Sequence, residues 1–321
     1  MNKIWLLLLG FMTIAPSALA QTRNDFPNRP IKMIVPFSPG GTSDLATRFF
    51  GGQLAALLGQ PVVVENRPGG NGAIAVAAIK NAPADGYTIL LGSNSLMSVN
   101  PIMVKDLSYD PIKDLRPLCG LIRGMIVLVV PSNSKLKTFG DFVSAAKKAP
   151  KLLSVGTVAP GYVLTTAWLG SLAGFEFMNI PYKGGGPMFT DLMGGNLDSA
   201  SADMTGAAPL LKAGKLHALA VSGEKRHVDF PDVPTVAESG YPNYSSYLWV
   251  AFFVHSETQD DVTAKLADSM QKILSTDSAR AFAKTTGGEL MPLGPAAMRE
   301  FQINEINRFR DIAKVAGITA Q

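Results

Sequence analysis

The feature that most restricts the fold of this chain is an alternation of short apolar runs with helical patterns, sustained over most of its length. Residues 31–37 read as a buried strand, followed by the loop Ser38-Pro39-Gly40-Gly41. A helical pattern then runs from about 43 to 58, with Leu45, Phe49, Leu54 and Leu58 marking its expected buried stripe. A strand at 61–65, a short helix at 73–80 and a strand at 87–91 continue the series, the last ending in the polar turn Gly92-Ser93-Asn94-Ser95. Strand, helix, strand in this order implies parallel pairing, because parallel neighbours need a crossover, and hence a doubly wound sheet. Ligands of such sheets sit outside the carboxyl ends of the strands.

The middle of the chain repeats the pattern. Strands are expected at 125–130, 152–155, 178–182, 199–203 and 216–221, with helices at 138–149, 163–173, after Gly184-Gly185-Gly186, and at 207–213. A last apolar run at 249–254 precedes two long helical patterns, 260–275 and 295–316. The layout fits an α/β protein of two lobes. Residues 21–122 and 249–321 would form one lobe and 123–248 the other, joined by strands near 125–130 and 249–254.

The N-terminus carries an export reading. Lys3 supplies a positive start, residues 4–14 an apolar run, and Ala18-Leu19-Ala20 a small-x-small cleavage site. The run is short of the roughly 20 apolar residues that span a bilayer. The chain is therefore expected in the periplasm, cleaved after Ala20, and no Cys follows that site to take a lipid anchor. Losing Lys3 lowers the basic count from 29 to 28 against 25 acidic residues, leaving a net charge of +3. These charges are scattered, without the basic block or interleaved aromatics of a nucleic-acid groove. Cys119 is the only cysteine, so no internal disulfide can form.

The stretch from Phe37 to Asp44 carries the most chemical information. Gly40 and Gly41 remove side-chain bulk where a helix begins, so backbone amides can approach a ligand. Unsatisfied amides and partial positive charge at a helix N-terminus suit a carboxylate. Thr42 or Ser43 could cap the helix or donate to the ligand, and Asp44 favours the dipole at the first turn. An ordinary glycine-rich turn with a Thr or Ser cap fits the same residues.

Enzyme readings are weaker. Gly70-Asn71-Gly72-Ala73-Ile74-Ala75 matches a dinucleotide fingerprint, but it opens the second βα unit and Asp85 follows too soon for the acidic partner. A tight turn with close helix packing is the expected role. No G-x-S-x-G elbow occurs, and His217, His227 and His255 lie on separate segments without metal-type spacing. No catalytic residue, cofactor or metal is therefore expected, and a secreted hydrolase acting on a carboxylate-containing substrate is the alternative from another class.

Several motifs together resemble the receptors of tripartite tricarboxylate transporters, the Bug or TctC-type solute-binding proteins. They are Arg29-Pro30-Ile31 with the run from Val35 to Asp44, then Gly59 to Gly69, then Asp85-Gly86-Tyr87-Thr88. The match resumes at Pro181-Tyr182-Lys183-Gly184-Gly185, Asp191-Leu192-Met193-Gly194-Gly195, Leu219-Ala220-Val221-Ser222 and the stretch from Pro231 to Glu238. The resemblance implies a type II-like periplasmic binding protein, whose two α/β lobes close on a carboxylate in the cleft between them and which delivers it to membrane transporter subunits; a monomer is expected, and the scattered charge predicts no nucleic-acid partner. Carried over by position, first-lobe contacts would be Phe37, Ser38, Gly40, Gly41, Thr42 and Asp44, with Ser93 and Asn94 nearby. Second-lobe contacts would come from Gly156, Thr157, Gly161, Tyr162, Val163, Tyr182 and Asp203.

One departure bears on the ligand. Where the family has a Ser/Gly-rich loop ending in a His-Leu pair, this chain has Gly156-Thr157-Val158-Ala159-Pro160-Gly161-Tyr162-Val163-Leu164, with Val163 in place of the His. Fewer donors and more apolar surface favour an acid with an apolar body, an aromatic terephthalate-like acid or another dicarboxylate. The same side chains could simply pack the lobe. Asp203 likewise has two readings, a helix cap or a water-mediated ligand contact.

Overall fold

A computed structural model describes residues 26–150 and 152–320; the export reading of residues 1–20 lies outside them. β1 (Ile31–Val35) is followed by α1 (Thr42–Leu58), β2 (Val62–Asn66), α2 (Ala73–Lys80) and β3 (Thr88–Ser93). β1 pairs in parallel with both β2 and β3, as the strand–helix–strand order requires. The polar turn expected after residue 91 is different: Gly92 and Ser93 prolong β3, and Ser95–Val99 wind as a buried π-helical segment into α3 (Asn100–Met103).

β4 (Leu115–Pro131) is 17 residues long, far more than the expected 125–130. Arg123 and Gly124 interrupt its buried pattern and hide the continuity in the sequence. The chain proceeds through α4 (Phe139–Lys148), β5 (Ser154–Thr157), α5 (Pro160–Ala173), β6 (Met178–Pro181), α6 (Gly185–Met193), β7 (Ser199–Asp203), α7 (Met204–Lys212) and β8 (Leu216–Val221). It returns through β9 (Tyr247–His255), α8 (Asp260–Leu274), α9 (Asp277–Thr285), β10 (Gly288–Leu290) and α10 (Pro295–Val315). Residues 115–125 of β4 pair antiparallel with β9, and residues 126–131 pair with β7 and β8. β4 thus belongs to two sheets, while β9 starts where β4 changes partners, Tyr247 opposite Met125.

Period-two alternation gives each sheet two apolar faces. Met33, Leu91 and Phe252 enter one core while their neighbours Ile34, Leu90 and Phe253 enter the other. Val127 and Leu128 divide in the same way in the second sheet. On α1 the buried stripe is Ala46, Phe50 and Leu54, at i, i+4 spacing. The expected Leu45 is instead 46% exposed and Leu58 only half-buried, because the true stripe begins one residue later. The short, charged α9 escapes the periodicity reading, yet Thr276 caps it by accepting from the Ala279 amide. Phe50→Ala should cost about 3–5 kcal/mol through the cavity it leaves. Leu45→Ala should stay within about 0.5 kcal/mol; denaturant unfolding of the two variants tests the assignment.

Candidate functional site

The chain leaves β1 at Val35 and turns through Phe37 to Gly41 before α1 begins. Gly40 sits at φ +85°, a left-handed conformation that a side chain would strain. Gly41 is the N-cap of α1 and supplies no side-chain cap, so the first-turn amides are left for another acceptor. Behind the loop, the buried Asp44 carboxylate accepts from the Gly40 amide at 3.0 Å, from Asn66 Nδ2 at 2.9 Å and from Arg48 Nε at 3.0 Å. Asn66 Nδ2 also donates to the Phe37 carbonyl at 3.0 Å. Burial pushes the Asp44 carboxyl upward, but hydrogen bonds from Arg48, Gly40 and Asn66 with the Arg48 charge outweigh it, and its pKa lies below the ordinary value.

In front of the loop lies a cavity of about 380 Å³ between the two sheets. Phe37, Ser38, Gly40, Gly41, Thr42, Ser93 and Asn94 line it from the first side, and Tyr162 and Asp203 from the second. Gly156, Thr157, Gly161, Val163, Tyr182 and Asp44 do not line it. A Cβ on Gly156 would meet Leu197 and Met188, so that glycine serves core packing. Thr157 Oγ1 donates to Asn179, and the Tyr182 hydroxyl donates to Asp191 at 2.7 Å. Burial and that carboxylate push the Tyr182 phenol up to about 12. Gly161 stands behind the wall: its amide donates to Ser95 Oγ at 3.1 Å, joining the two sides.

Asp203 turns out to do more than cap. Its Oδ1 accepts from the Gly206 amide at 2.7 Å, capping α7, and from the Thr42 hydroxyl at 2.6 Å, which ties the sides together across the cavity. The Ser38 hydroxyl donates to the Lys183 carbonyl and Thr205 to the Thr286 carbonyl, adding contacts at the rim. The Asn94 side chain is 2% exposed, and its Nδ2 has no partner among the described residues. Burial, with the Asp203 charge, raises the Tyr162 phenol well above its ordinary pKa, so it stays a neutral donor. Among the described residues, no lysine, arginine or histidine side chain lines the cavity.

The sequence reading missed the apolar wall. Ile122 and Met125 come from β4, Leu248, Trp249 and Val250 from β9, and Phe282 from α9. Only the pairing of β4 with β9 brings these distant segments together. The glycine run Gly184-Gly185-Gly186, read as a helix opening, also lines the cavity opposite Ser38. A Cβ on Gly184 would lie 3.6 Å from the Ser38 Cβ. The Gly70–Gly72 turn is packed as expected: Gly72 has φ +89°, and a Cβ there would fall 2.7 Å from Leu96.

Residues 47–318 match the model of the tripartite tricarboxylate transporter family receptor, TctC. The chain belongs to this family. It is 31% identical to protein BugT of Bordetella pertussis over 99% of this chain and 98% of that one. Among solved structures, R. palustris Rpa4515 with adipate superposes with a TM-score of 0.89 at 31% identity, covering 92% of this chain and 100% of that one. MatC from Rhodopseudomonas palustris with bound malate gives 0.85 at 27% identity, over 89% and 99%. This TctC-family chain therefore has the two-lobed α/β fold of periplasmic solute-binding receptors.

The Asp44 network should show in acid. Its carboxylate contributes fully above the unfolded-chain value of about 3.9 and loses that contribution as pH falls through its lower folded value. Thermal unfolding of the native chain should therefore drop more steeply below pH 4 than that of Asp44→Asn. Gly161→Ala would place a Cβ 2.7 Å from Asn94 Nδ2 and Ser95 Oγ on the facing side. Overpacking of that contact should lower stability by about 1–3 kcal/mol, read by denaturant unfolding.

Proposed function

We propose that this chain captures a small organic carboxylate with an apolar, aromatic body in the cavity between its lobes. Closure then commits the solute for delivery to a tripartite tricarboxylate-type membrane transporter, after export and cleavage following Ala20. The observation that carries the reading is the uncapped N-terminus of α1 at Gly41, opening on a cavity whose donors are neutral. Helix amides can hold a carboxylate without a counter-charge. Phe282, with Ile122 and Met125, offers the rest of the solute an apolar wall. The adipate and malate named for the two solved relatives are both small carboxylates, which supports the same class here.

The preference for an apolar body rests on this wall rather than on Val163, which stands outside it. The lobes divide near residues 123 and 249, a boundary supported by the change of partners along β4 at Met125. Solute favours the closed form only by its greater affinity for that form. The hydrogen bond from Thr42 to Asp203 is one contact that closure completes.

Thermal-shift screening of residues 21–321 against aliphatic and aromatic acids should find stabilisation by an intact acid without product. Turnover of an ester or amide, with no acid stabilising the protein, would reject the receptor in favour of a hydrolase. Gly41→Val is a clean probe of the loop, because the added Cβ lies 3.9 Å from the Ser38 carbonyl oxygen and the backbone is already extended. Its ligand-free stability should fall by only about 1 kcal/mol, the cost of replacing the N-cap glycine, while binding is lost. Unchanged affinity would remove the loop from the site.

A further inference from the structure

We infer that the solute carries, besides one carboxylate, a hydrogen-bond donor, an ammonium or hydroxyl group, that meets Oδ2 of Asp203; this rests on the carboxylate-receptor reading above. Asp203 lines the cavity, and its two hydrogen bonds, from Thr42 and Gly206, both end on Oδ1. Oδ2 accepts from no described residue, and no cationic side chain lines the cavity to balance the charge. Lys183, the basic residue nearest the glycine run, turns its carbonyl to Ser38 and keeps its side chain out of the lining. Closure over a solute would strip water from this carboxylate oxygen, in a cavity that Phe282 and Met125 also line. Such a group is costly to bury unless a donor or cation pairs with it.

The solute is what can supply that partner. Its own carboxylate finds neutral donors at the α1 N-terminus. A second carboxylate would instead share the cavity with Asp203, and like charges held at close range oppose binding. Asp203 is thereby assigned a selecting role: it favours amino- or hydroxy-acids with an apolar body over dicarboxylates of the same skeleton.

Two ligand series test this by calorimetry on residues 21–321 at pH 7. One compares 4-(aminomethyl)benzoate, 4-(hydroxymethyl)benzoate and terephthalate; the other compares 6-aminohexanoate, 6-hydroxyhexanoate and adipate. In the skeleton that binds, a donor-bearing acid should bind at least tenfold more tightly than the dicarboxylate. Asp203→Asn keeps a capping side chain for α7 and should erase that ratio, weakening the amino-acid and strengthening the dicarboxylate. Thr42→Val, which leaves the Asp203 charge in place, should weaken all members alike and preserve the ratio. A dicarboxylate that binds the native chain as tightly as its amino analogue overturns the inference and leaves the receptor reading standing. So does an Asp203→Asn variant that scales every ligand equally, which would make Asp203 a closing contact only. If no acid of the wider screen binds either, the receptor reading itself falls.

Discussion

β4 is the element on which both lobes depend. A strand's backbone donors and acceptors must be paired wherever it is buried, and β4 meets that demand with β9 over its first part and with β7 and β8 over the rest. Register shifts at Pro117/Cys119, Gly120/Ile122 and Leu128/Val129 bend it along the way. The place where partners change is also where the cavity lies, so Ile122, Gly124 and Met125 of β4 and Leu248, Trp249 and Val250 of β9 become its wall. Scaffold and site share the same residues there.

The glycine loop shows a division of labour between charge and neutrality. Asp44, Arg48 and Asn66 gather the charged and amide groups behind the loop, where they fix Phe37 and Gly40 by hydrogen bonds. The face toward the cavity keeps only backbone amides, hydroxyls and an amide side chain. A site built on neutral donors holds an anion without the strong pairing of an arginine fork. That suits a receptor, whose solute must leave again once the lobes open.

Asp203 illustrates why a residue can be found in a sequence while its role stays ambiguous. Its position before a helix is enough to suggest a cap, and the Gly206 amide takes that role. The bond from Thr42, 161 residues away in the chain, follows from no local pattern. Tyr182 runs the other way. It sits inside a family motif, yet its hydroxyl is taken by Asp191 and it lies off the cavity.

The sequence by itself determined the βα alternation, the parallel pairing of the first strands and the glycine loop at the head of α1. These depend on contacts within a few tens of residues and on the local demands of turns and helix starts. It also carried the family motifs. Only the tertiary structure decided the length of β4, because Arg123 and Gly124 break its apolar run and the pairing with β9 restores it. It alone decided which of Leu45 and Ala46 faces the core, since helix rotation is set by the surface against which α1 packs. It alone brought Met125 of β4, Leu248 of β9 and Gly41 to one cavity, because strand pairing across the chain makes that wall and spacing along the chain leaves it unspecified.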